Sequence, residues 1–153
     1  LSYNASLVRS ETIIYGSKNI SYIDSVPIPH IVFTNILVER KQKLEGMPEF
    51  FGNISLGYDL GGFSFRVSLF HKGKHNVSFS ADGQEDQETN EFTRIDLALK
   101  YKFTDYLSAF LNVNNITNVE DGASMLNRVY DRRLFDQSEK YGLTADFGVT
   151  LEL

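Results

Sequence analysis

Arg128, Asp131, Arg132 and Arg133 crowd three guanidinium groups and one carboxylate into a single short stretch. Planar guanidinium groups make paired hydrogen bonds to carboxylate or phosphate oxygens, so this stretch is a candidate substrate loop for an anionic ligand. A second stretch, with Asp82, Glu85, Asp86, Glu88 and Glu91, carries enough oxygen donors for a hard cation. The plainer expectation for such a run is a solvated loop. Lys72, Lys74 and His75 form a small basic patch, for which a solvated surface is expected. The histidines His30, His71 and His75 are scattered, and the chain has no G-x-S-x-G, H-E-x-x-H or phosphate-binding glycine loop. No catalytic residue, metal site or cofactor is therefore expected. With Cys 0 the chain has no disulfide and no thiolate ligand. A net charge of -5 argues against a nucleic-acid partner, which needs a basic face.

The elements that must position these side chains are strands. Over residues 91–103, Ile95, Leu97, Leu99, Tyr101 and Phe103 alternate with Arg94, Asp96, Ala98, Lys100 and Lys102. An extended chain puts the first set on one face and the second on the other, whereas a helix would scatter both. The same period of two runs through 141–153, 53–60 and 63–69. It is weaker in 107–115, where Phe110 interrupts the polar face, and weakest in 1–9. Pro27 and Pro29 suit an outer loop within 15–43, flanked by a hairpin of 20–23 and 31–38.

The connections are lopsided. Gly61-Gly62 and Thr104-Asp105 mark tight turns, while 72–91 and 115–140 are long and polar. Tyr58, Phe63, Tyr101, Phe103 and Tyr106 gather near the tight turns. Long alternating strands, short turns at one end, long loops at the other and an aromatic girdle are the pattern of an antiparallel transmembrane β-barrel. On this reading Leu97, Leu99, Leu111, Val113, Ala145, Phe147 and Val149 face lipid. Arg66, Arg94, Asp96, Lys100, Asn112, Asn114, Asp146 and Thr150 line the lumen. A soluble ligand-binding β-barrel also alternates, and a small complete outer-membrane barrel acting as a pore or adhesin is the other alternative.

Asp146, Gly148, Leu151 and Leu153 spell polar-x-Gly-x-x-apolar-x-apolar to the last residue. This resembles the assembly signal of bacterial outer-membrane barrels, with Leu153 where members often carry Phe. The stretch 46–153 resembles the C-terminal part of a TonB-dependent outer-membrane receptor. The likeness is carried by Leu44-Glu45-Gly46-Met47-Pro48 before Asn53-Ile54-Ser55-Leu56-Gly57-Tyr58, then Thr93-Arg94-Ile95-Asp96-Leu97. Phe110-Leu111-Asn112-Val113-Asn114-Asn115-Ile116-Thr117-Asn118 and Tyr141-Gly142-Leu143-Thr144 follow in the family's order. The resemblance implies a 22-stranded barrel with a plugged lumen, of which residues 1–153 would supply about six strands and no plug. It implies active uptake of a scarce nutrient, a siderophore, cobalamin or glycan-like ligand. The implied partners are outer-membrane lipid, the remaining strands and plug of the same receptor, and the TonB complex reached through the N-terminal part.

Overall fold

The computed structural model describes residues 1–152, so Leu153 of the expected assembly signal lies outside the described residues. The chain is all β. Its strands are β1 (Ser2–Leu7), β2 (Thr12–Asp24), β3 (His30–Gln42), β4 (Phe50–Leu60), β5 (Phe63–Lys72), β6 (His75–Ser78), β7 (Asp86–Thr89), β8 (Phe92–Lys102), β9 (Leu107–Asn114), β10 (Glu120–Asn127), β11 (Arg132–Lys140) and β12 (Thr144–Leu151). Six of them form one antiparallel sheet in the order β1-β4-β5-β8-β9-β12. The other six build three excursions, all leaving from the same end of that sheet.

The alternation read from the sequence becomes the two faces of the sheet. Leu56, Val67, Leu97, Val113 and Ala145 lie opposite one another across five strands, and so do Tyr58, Phe65, Leu99, Leu111 and Phe147. The intervening row on the other face is Gly57, Arg66, Ala98, Asn112 and Asp146. One face is thus aliphatic and aromatic from edge to edge, and the other carries charge and amide. Among the described residues nothing covers the apolar face: Phe147 is 84% exposed and Leu56 is 56% exposed.

At one end the strands are joined tightly. Gly61 and Gly62 have φ of 56° and 85°, so both central residues of the β4–β5 turn occupy the left-handed region that glycine tolerates. The β8–β9 turn is held by the Thr104 hydroxyl, which accepts from the amide of Leu107 at 3.1 Å. Tyr58, Tyr101, Phe103 and Tyr106 stand exposed at this end, with Tyr101 and Phe103 edge to face at 4.8 Å.

At the other end the long connections are folded. The hairpin β2–β3 pairs continuously from Thr12↔Gln42 to Asp24↔His30, well beyond the short hairpin expected from the sequence, with Pro27 and Pro29 in its turn. Residues 72–91 and 115–140, expected as loops, contribute β6, β7, β10 and β11 to a second sheet, ordered β11-β10-β7-β6. The last strand starts at Thr144 rather than Tyr141, because Gly142 at φ 73° turns the chain just before it.

Candidate functional site

Arg66, Arg94, Asp96, Lys100, Asn112, Asn114, Asp146 and Thr150 share one face of the main sheet by register, and several of them are tied to neighbours along it. Arg94 Nε donates to Asp96 at 3.1 Å, and the other oxygen of Asp96 accepts the Asn115 amide at 2.9 Å. Asn112 donates to Asp146 at 2.8 Å, and Asn114 to Thr144 at 3.5 Å. Arg66 lies across Gly57 and reaches Asp59 at 3.8 Å. Lys100 is in register with Ser64 and Phe110, and Thr150 with Ser108. Phe110, the apparent intruder on this face, covers Gly148: a Cβ there would sit 2.5 Å from its ring. An aromatic side chain filling the space of a cross-strand glycine is a sheet-stabilising device.

Toward the excursion end the polar face turns aromatic. Phe70 and Phe92 meet edge to face at 5.6 Å, and the Lys72 ammonium sits 5.1 Å above the Phe92 ring. Beside them Phe92, Arg94, Asn114, Asn115, Tyr141 and Thr144 line a pocket of about 240 Å³.

The densest polar cluster lies in the excursions, and the sequence did not announce it. Asp86, from the acidic run expected to be solvated, is fully buried. Arg40 of β3 grips it with two parallel hydrogen bonds of 3.0 and 2.9 Å. Arg128, in the β10–β11 turn, donates Nε to it at 2.8 Å, and the Ser80 amide adds a bond of 3.0 Å. Each of the three excursions therefore sends at least one residue to this clasp. Around it the Arg128 amide donates to the Gly83 carbonyl at 2.8 Å, and Gly16 of β2 lies against Ala81 so closely that a Cβ would collide. Burial pushes the Asp86 carboxyl up, but the Arg40 hydrogen bonds, the Ser80 amide and Arg128 outweigh it and hold the group below its ordinary value. Arg40 is raised in turn, chiefly by its hydrogen bonds to Asp86. The signal available in the sequence was arginines in two excursions and an acidic run in another, too far apart along the chain for the pairing partners to be read without the fold.

The expected substrate loop is partly committed. Arg128 belongs to the clasp, and Arg133 pairs with Glu88 and with Asn90. Arg132 and Asp131 make no ion pair among the described residues. Both line a cleft with Lys74, Arg128 and Arg133. Of the acidic run, Asp86 and Glu88 are thus spent on arginines, and among the described residues no acidic cluster is arranged to hold a metal.

A meander with one continuous apolar face, tight turns at one end and folded excursions at the other is a segment of an antiparallel β-barrel wall of the membrane-spanning kind. A family model described as TonB dependent receptor-like, beta-barrel matches residues 3–116, and the chain belongs to that family. Its members are transport receptors of the bacterial outer membrane rather than enzymes. No curated protein and no solved structure gives a significant match.

Proposed function

We propose that residues 1–153 form the C-terminal wall and outer loops of a 22-stranded receptor whose plug lies outside this stretch. The receptor takes up a scarce nutrient, a siderophore, cobalamin or glycan-like ligand, with energy supplied through TonB. The apolar face meets lipid, and Arg66, Arg94, Asp96, Lys100, Asn112, Asn114, Asp146 and Thr150 line the lumen around the plug. Asp146, Gly148, Leu151 and Leu153 serve as the assembly signal. The tight turns are periplasmic, and the three excursions stand outside the cell, where they present the ligand-facing surface.

The observation that carries this reading is the end-to-end asymmetry of the sheet combined with its edge-to-edge apolar face. A soluble barrel would hide that face in a core; here large side chains such as Phe147 and Val149 stand open on it. The experiment is uptake by cells producing the complete receptor, using labelled ferric siderophores, cobalamin and oligosaccharides in turn. Uptake of one class that collapses without TonB or without the proton gradient is expected. Equal uptake in de-energised cells would point to a passive pore instead.

A further inference from the structure

We propose that the cleft between β10–β11 and the β6 side of the outer sheet binds an oxyanion, a phosphate or a cluster of carboxylates, and shares the Arg128 guanidinium with the Asp86 clasp. The inference rests on the exterior placement proposed above and names the ligand chemistry of one part of that surface.

The cleft holds about 250 Å³, at the small end of ligand sites. It suits a small anion, or the anionic arm of a larger ligand. Its charges do not cancel. Arg133 is neutralised by Glu88. Lys74 and Arg132 have no carboxylate partner among the described residues. Arg128 uses Nε on Asp86 and one terminal nitrogen on Asn76 at 3.4 Å, while its side chain remains 42% exposed toward the cleft. Two unpaired cations from two excursions, Lys74 and Arg132, thus line one space with the paired Arg128 and Arg133, opposed there among the described residues only by Asp131 and the already paired Glu88. Nothing aromatic lines it, which disfavours a stacked sugar ring and leaves charge as the means of recognition.

Sharing Arg128 has a consequence. Asp86 draws the guanidinium inward, and an anion in the cleft draws it outward. Neutralising Asp86 removes a buried negative charge behind the site and releases a donor to it, so anion affinity should rise.

The test is calorimetric titration of the full-length receptor in neutral detergent at low salt, with inorganic pyrophosphate and with citrate as probes. Saturable binding is expected for at least one of them, weakened roughly tenfold or more by the double change Lys74→Gln and Arg132→Gln and strengthened by Asp86→Asn. Raising the salt should weaken it. Lys74 and Arg132 are both exposed, so the double variant decides the matter even if Asp86→Asn loosens the excursions. Absence of binding in the wild type, or undiminished binding in the double variant, overturns the proposal. Repeating the titration in nanodiscs separates the sources: competition from lipid phosphate in anionic but not zwitterionic bilayers identifies a headgroup, and unchanged binding in both identifies a free oxyanion. If neither probe binds while a cysteine at the exposed Glu85 position is labelled on intact cells, the cleft fails and the receptor topology stands.

Discussion

The buried carboxylate of Asp86 is the residue on which the outer layer depends. A carboxylate out of water is tolerable only while its partners remain, and removing one partner of such a pair costs about 3–5 kcal/mol. Arg40→Met leaves Asp86 with Arg128 and the Ser80 amide, so hydrogen exchange at 78–90 should accelerate strongly while the barrel strands keep their protection. Unchanged exchange there would show that the clasp contributes nothing. The clasp also has a pH signature. The folded-state value of Asp86 is depressed, so its contribution is complete above the ordinary 3.8 and lost as pH falls through the lowered value. His75 in β6 is held below its ordinary 6.5, first by burial and then by the Lys72 ammonium. A depressed histidine favours the unfolded chain once protonated, so its contribution is complete above 6.5 and declines as pH falls below it. A distance probe between labels at Ser17 and Ser138 should therefore report loosening in two acid steps, and His75→Gln should abolish the upper one.

At the scale of strands, the register decides which substitutions the wall accepts. Leu97 lies between Val67 and Val113 on the apolar face, and its neighbour Ala98 lies between Arg66 and Asn112 on the other. Arginine at a lipid-facing midplane position costs about 2–4 kcal/mol. Leu97→Arg should therefore destabilise the complete receptor in a folding titration into lipid far more than Ala98→Arg; equal effects would mean the faces are reversed. Gly148→Leu should displace Phe110 and slow assembly, and Phe110→Ala in the same background should restore part of the loss. These wall strands were legible in the sequence because a period of two over many residues admits one reading, and because Gly61-Gly62 and Thr104-Asp105 punctuate it. Of the excursions, only part of the β2–β3 hairpin was. Strands β6 and β7 span four residues each, too short for a period to register. Bulges interrupt β6 between Asn76 and Ser78 and the β10–β11 pair at Ala123/Ser124. Arg132 and Arg133 could be read as anion ligands from type alone, but Lys74, just before β6, joins them only because the fold gathers β6 and β11 into one sheet.

The whole molecule is shaped for surroundings that residues 1–153 do not themselves provide. In the main sheet β1 and β12 each have one neighbour, so among the described residues each presents one unpaired edge. In hydrocarbon each unpaired amide or carbonyl costs several kcal/mol, which is why membranes are spanned by closed barrels. In water the same edges template pairing with other chains, and an apolar face running across the sheet is an extended sticky patch. The outer sheet guards its own β11 edge differently, with the charged Arg132, Arg133, Asp136, Glu139 and Lys140 and a bulge, as water-exposed edges usually do. On the receptor reading proposed above, the contrast between the guarded β11 edge and the plain edges of the wall would follow from their settings, one in water and one against further strands. Residues 1–153 expressed alone should accordingly aggregate or require detergent, and should take up no nutrient. The same residues within the complete receptor should be protease-resistant in the outer membrane. A soluble, monodisperse, cooperatively unfolding monomer in plain buffer would mean that the apolar face is covered in some other way, and the membrane-wall reading would fall.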